Sequence, residues 1–302
     1  MEITNILNQI LILFLIMGVG VAACKLKFIS NETNVGLSKI LLNVTLPLLI
    51  ISSFTMDFSK DMLKTAGIIF IISMIVHGSL VIISKFMYKK QPESIRSVLR
   101  FVTIFSNCGY IGYPVAASIY GSEGVFYAAV YNIAFNIFMW TIGILIFQPS
   151  KEKGMFKKAI FNPGMISIAV GMIIFIFSIK LPYAIDETIK LVGNMTTPLS
   201  MIIVGVSLCS VSLKEAFKEF IYYKVSFIRL ILIPIVVYLC LKFLGFEGIY
   251  IGIPIIVSAM PAAANTVTLA QIYKGDVNSA SKIIVVSTIF SAITLPIMLL
   301  LI

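Results

Sequence analysis

Two short segments carry the residue types that could bind a ligand inside an apolar setting. The first reads Ser106-Asn107-Cys108-Gly109-Tyr110-Ile111-Gly112-Tyr113-Pro114, and the second Ser258-Ala259-Met260-Pro261-Ala262-Ala263-Ala264-Asn265-Thr266. Each places a proline and an asparagine near the middle of an otherwise apolar run. Proline removes a helical hydrogen bond and clashes with the preceding turn, and Gly109 and Gly112 weaken the first helix further. A helix broken at membrane depth leaves free N–H and C=O groups, tolerated only inside protein or along a watery cavity. The N-terminus of the resumed half-helix carries a partial positive charge suited to a carboxylate. One such proline reads as a structural kink. Two interruptions at matching places, each with a polar amide, point to a binding site for a small organic anion.

Other residues are weighed around this pair. Asn132 and Asn136 are four apart and share a helix face, so they either line a cavity beside the break or join helices. Asn43 and Asn194 sit in repeated N-x-T-x-P-L segments with Pro47 and Pro198, which are expected to kink their spans. Their amides fit helix adhesion at least as well as ligand contact. Arg229 lies seven residues past Tyr222, about 10 Å into its run, and either snorkels to the loop or faces a cavity and neutralises an anion. His77 is the chain's one histidine. It reads first as a satisfied buried side chain, and second as a proton-coupling group. All 13 acids fall in loops or at span ends, which argues against a carboxylate-based cation antiporter. Cys24, Cys108, Cys209 and Cys240 form no CxxC pair, so neither a metal site nor a disulfide framework is expected. There is no phosphate-binding glycine loop, no HExxH and no nucleophile elbow, so the chain is expected to be no enzyme and to use no cofactor. Sodium or proton coupling stays open.

The elements that must position these residues are membrane helices. Of 302 residues, 59% are hydrophobic and 12% charged, against about a quarter charged in a soluble domain. A span needs about 20 apolar residues. Ten runs can be marked, near 6–24, 36–55, 64–87, 98–119, 124–147, 163–180, 190–210, 222–243, 249–272 and 278–301. Asn162-Pro163 reads as an N-cap followed by proline at the first helical position. Of the 23 Lys and Arg residues, 18 fall in or beside odd-numbered loops and 5 in even-numbered ones, or 16 against 5 without Lys39 and Arg229, which lie inside their runs. The positive-inside rule then places the odd loops in the cytoplasm and both termini outside the cell membrane. The net charge of +10 is thereby an orientation signal, and no nucleic-acid partner is expected. The N-x-T-x-P-L segments repeat at an offset of 151, and Ala-x-Ile-Tyr, ending at Tyr120 and Tyr273, repeats at 153. These offsets support a first five-helix repeat in 1–150 and a second in 151–302, inverted because five is odd.

Thr45-Leu46-Pro47, Asn107 to Pro114, Met260-Pro261-Ala262-Ala263-Ala264-Asn265 and Tyr273-Lys274-Gly275-Asp276 together resemble the bacterial branch of the auxin efflux carrier family, related to the plant PIN auxin transporters. The likeness covers the full chain. It implies the fold of the bile-acid symporter group, with helices 1, 2, 6 and 7 as a scaffold and helices 3–5 and 8–10 as a transport domain. Broken helices 4 and 9 would cross beside Asn107, Pro114, Pro261 and Asn265. It further implies a homodimer in membrane lipid, an elevator-like motion, and carboxylate substrates such as malonate, malate or an auxin-like acid. Residues 148–162 are too short for the long cytoplasmic loop of the long plant carriers. The reading is an all-α polytopic secondary transporter of a small organic anion. A channel-like or sensory protein on the same scaffold is the alternative.

Overall fold

The apolar runs form helices in the computed structural model, which describes residues 3–148, 157, 160–209 and 211–302. The junction between the two expected repeats at 150/151, and Lys151, Lys153 and Lys158 of the positive loop, lie outside the described residues. The helices are α1 (Ile3–Lys25), α2 (Asn31–Ser53), α3 (Lys60–Phe86), α4 (Glu93–Ile104), α5 (Cys108–Phe147), α6 (Pro163–Ile176), α7 (Tyr183–Leu208), α8 (Leu213–Ala216), α9 (Phe220–Phe243), α10 (Ile249–Ser258), α11 (Asn265–Ile272) and α12 (Val277–Leu299). Seven of them (α1, α2, α3, α5, α7, α9 and α12) are long and apolar enough to cross a membrane, and α6 and α10 are shorter apolar helices. Among the described residues there is no strand, only an isolated antiparallel bridge between Ser106 and Ala262.

The start of α6 is as its sequence predicts: the Asn162 side chain accepts from the Met165 N–H at 3.0 Å, ahead of Pro163. Pro114 acts otherwise than expected. It does not break its span. The helix stops at Ile104 and resumes at Cys108, so the break precedes the proline by several residues. What precedes Pro114 directly is a π turn, Cys108–Gly112. The same pattern recurs at Leu41–Thr45 before Pro47 and at Ile228–Leu232 before Pro234. A proline ring clashes with the carbonyl four residues earlier. In all three cases that residue (Asn43, Tyr110 or Leu230) lies within the π turn, whose wider ring makes room while the helix continues. A fourth π turn, Met139–Gly143, has no following proline. Pro198 falls in the first turn of its helical segment, where a missing N–H costs nothing. Within α5, Gly121 at φ 59° turns the chain between the stretches read as runs four and five.

The chain divides into two units, taken separately. The first comprises Met1–Ile68, Gly109–Val130 and Ile160–Ser210, and so holds α1, α2, α6 and α7. Its helices meet through glycines. A Cβ on Gly205 would lie 2.0 Å from the Met17 carbonyl oxygen, and one on Gly20 would lie 2.3 Å from that of Ile202, so α1 and α7 touch backbone to backbone. Gly193 gives α7 a similar approach to Leu49 of α2, and Gly171 admits the Phe54 ring. Lipid tails provide no hydrophobic drive between helices, so close packing of small residues takes that role. Phe54, Phe126 and Phe175 form an aromatic cluster at centroid distances of 4.6 and 5.1 Å.

The second unit comprises Ile69–Cys108, Tyr131–Ala159 and Val211–Ile302. It contains α4 and α8 to α12 with the later parts of α3 and α5. Phe101, Phe105 and Phe135 pack in its interior. Gly143 lets the second half of α5 approach the Phe101 and Phe105 rings to about van der Waals contact.

Candidate binding site at the two helix breaks

In the second unit the two interrupted segments meet. Phe105–Asn107, between α4 and α5, runs antiparallel to Pro261–Ala263, between α10 and α11. The Asn107 N–H donates to the Pro261 carbonyl at 2.7 Å, and the Ala263 N–H donates to the Phe105 carbonyl at 3.2 Å. Between these two bonds, the Ala262 N–H donates to Ser287 Oγ of α12 at 3.2 Å. Each break thereby satisfies the backbone groups that the other exposes, as buried backbone requires.

The carbonyls at the ends of α4 and α10 converge on one side chain. Arg229 lies in the π turn of α9 and is 3% exposed. Its Nη1 donates to the carbonyls of Thr103 at 2.9 Å and Ile104 at 3.4 Å, its Nη2 to Ser258 at 2.7 Å, and its Nε to Met260 at 3.3 Å. A guanidinium has five N–H donors in a fixed fork, so these bonds engage four of them. Arg229 therefore does not snorkel to the loop, and it keeps too few free donors to grip a carboxylate in bidentate fashion. It places a cation at the negative ends of two half-helices, where the dipole favours one. No carboxylate pairs with it among the described residues.

The α4 end is braced a second time. Tyr88, in the turn after α3, lies 2.9 Å from Thr103 Oγ1. The Thr103 hydroxyl donates its one proton to the Leu99 carbonyl at 2.8 Å, so the Tyr88 phenol is the donor to Thr103. Burial pushes that phenol up to about 12, so it stays protonated and able to donate at neutral pH.

The remaining candidates separate. Asn265 opens α11, is half-buried, and directs its Nδ2 to the Met139 Sδ at 3.7 Å. Thioether sulfur is a weak acceptor, and among the described residues this amide has no other hydrogen-bond partner. Asn107 and Pro261 are buried at the paired segments. Asn136 donates to the Asn132 carbonyl within its own helix at 2.8 Å. Asn132 is 2% exposed, and its Oδ1 has no partner among the described residues. His77 is buried, with Nδ1 2.8 Å from the Ser73 carbonyl, which assigns the proton to Nδ1. Rings of Phe105, Tyr131, Phe135 and Phe138 surround it at 5.6 to 6.4 Å, the setting of a packed side chain. Gly109, Gly112 and Pro114 fall in the first unit, Gly109 and Gly112 within the π turn and Pro114 just after it. Asn43 and Asn194 are exposed, and Asn43 bonds to the Lys39 carbonyl of its own helix.

Thr103, Ser287, Met139 and Tyr88 went unnoticed in the sequence. Met139 and Ser287 are ordinary residues of apolar runs. Thr103 enters mainly through its backbone, which leaves no mark in residue type.

Comparison with known proteins gives the family. A family described as membrane transport protein matches residues 5–158 and again residues 153–299. An uncharacterized transporter of Methanocaldococcus jannaschii is 23% identical over 299 residues, covering 96% of both chains. Another uncharacterized transporter, from Methanothermobacter thermautotrophicus, is 27% identical over 267 residues, covering 86% of both. A protein of Rhizobium meliloti, named as a candidate malonate transporter, is 24% identical over 204 residues, 64% of this chain and 63% of its own. The family and these relatives are transporters and not enzymes. With its length matched from residue 5 to residue 299, the chain belongs to the membrane transport protein family, that of the auxin efflux carriers.

Proposed function

We propose that this membrane transporter is a secondary carrier of a small organic anion, with malonate as the first substrate to test. The observation that carries the reading is the antiparallel pairing of Phe105–Asn107 with Pro261–Ala263. It aligns two helix breaks, and Asn265, with only a thioether as partner among the described residues, stands at the head of the half-helix that follows. An anion at that head would meet the positive end of α11 and an amide donor. Asn107 and Pro261 shape the floor, and Asn132 offers a buried amide oxygen to a hydroxyl or protonated acid group. The relative named for malonate favours a dicarboxylate.

The finer architecture belongs to the same proposal: ten spans in two inverted repeats, with α4 and α5 from Cys108 to Tyr120 as one broken span and α10 and α11 as the other. The grouping of α1, α2, α6 and α7 in one unit supports those four helices as a scaffold, against which a transport domain would move as an elevator in a homodimer. The excess of Lys and Arg in odd loops supports termini outside the cell membrane.

Saturable malonate uptake into proteoliposomes tests the reading. Asn265→Ala is expected to lower kcat/KM at least tenfold, about 1.4 kcal/mol of lost binding, with the melting temperature kept within a few degrees. Uptake unchanged in Asn265→Ala would sink the site. Unsaturable flux at channel rates would instead establish the channel-like alternative.

A further inference from the structure

Arg229 has a consequence for ion coupling, which rests on the transporter reading above. The C-terminal ends of broken helices, with their unwound carbonyls, are where inverted-repeat carriers hold a coupling sodium ion. Such a site needs oxygen ligands converging from both breaks. This chain has them: the carbonyl oxygens of Thr103, Ile104, Ser258 and Met260, all within 2.7 to 3.4 Å of one group. That group is the guanidinium of Arg229, buried at 3% exposure. We infer that Arg229 is a resident cation: its guanidinium fills the carbonyl cage in place of a coupling sodium ion, so this carrier moves its substrate without sodium at the breaks.

Three features favour the inference over a merely adhesive arginine. The contacts come from both broken helices, so the side chain joins the two ends that a shared ion would join. The oxygens are backbone carbonyls at helix C-termini, which attract cations of any kind. No carboxylate neutralises the guanidinium among the described residues, so its charge is balanced by helix ends alone, as a bound sodium would be. A covalently held cation cannot dissociate with each cycle. Its charge stays with the protein, and the substrate anion moves in the field of a fixed positive centre.

The test compares sodium chloride with choline chloride at equal ionic strength, in melting experiments on purified protein and in malonate uptake by proteoliposomes. Wild-type protein is expected to melt within 1 °C in the two salts and to take up malonate at equal rates. Arg229→Gly, which empties the cage, is expected to melt lower and to be raised by several degrees by millimolar methylguanidinium or sodium, but not by choline. A wild-type protein stabilised by 3 °C or more in sodium, or accelerated tenfold by it, overturns the inference. So does an Arg229→Gly protein indifferent to every cation. Should that variant not accumulate, the wild-type comparison still decides. Absence of malonate uptake in both salts would count against the proposed malonate carrier alone, since the melting comparison does not depend on flux.

Discussion

Arg229→Met is expected to lower the melting temperature of the purified protein by about 10 °C and to reduce malonate uptake to background. The substitution keeps a flexible apolar stem of similar reach but removes every donor. Four buried carbonyls, those of Thr103, Ile104, Ser258 and Met260, then lose their shared partner. Removing one side of a buried charged arrangement costs about 3–5 kcal/mol. A loss of 1 kcal/mol shifts melting by roughly 2–4 °C in chains of this size class, which gives the figure above. Arg229→Lys should recover only part of it. An ammonium is a compact charge with three donors and cannot span carbonyls on two helices as the planar fork does. The measurement is the fraction of protein remaining monodisperse after heating. A variant that melts with the wild type would show that the α4 and α10 ends hold together without the clamp.

Gly205→Leu is the second large effect, and it acts on the first unit. The obstacle is backbone: the new Cβ would stand 2.0 Å from the Met17 carbonyl oxygen and 3.0 Å from the Val21 nitrogen. Neither atom can rotate away as a side-chain tip would, so α1 must separate from α7. Overpacking costs about 1–3 kcal/mol where side chains can adjust, and this site offers no such adjustment. Gly20→Leu should behave alike, since its Cβ would stand 2.3 Å from the Ile202 carbonyl oxygen. Gly18→Leu is the internal control, two residues away on α1 with nothing within 4 Å. The expected result is a drop in melting temperature of about 10 °C for either of the first two substitutions, and almost none for the third. Equal melting of all three would refute the close approach.

The two helix breaks that meet were legible in the sequence because their residues are exceptions. Asn107, Pro261 and Asn265 interrupt apolar runs, and few residue types do so inside a membrane helix. The role of Pro114 was misjudged for a physical reason. Proline is a helix breaker only when the clash with the fourth preceding carbonyl has no relief, and a π turn supplies relief at Pro47, Pro114 and Pro234 alike. The task of Arg229 was hidden because its partners are carbonyls. A carbonyl is the same in every residue, so neither Thr103 nor Ser258 advertises the bond. The N-x-T-x-P-L repeat is legible too, but it gathers no ligand groups. Its asparagines recur at a fixed offset, yet both are exposed and Asn43 bonds within its own helix.

The clamp also sets a timetable for synthesis. Ile104 and Arg229 are 125 residues apart in the chain. At about 5–20 residues per second, a ribosome makes the second roughly 6–25 s after the first. Throughout that interval the end of α4 waits in the bilayer with its carbonyls uncapped, and the segment that pairs with Phe105 does not yet exist. The first half of the chain, made alone, could not complete its own broken span. The second unit draws on Ile69–Cys108, Tyr131–Ala159 and Val211–Ile302, so it cannot be completed before the last third of the chain has been made.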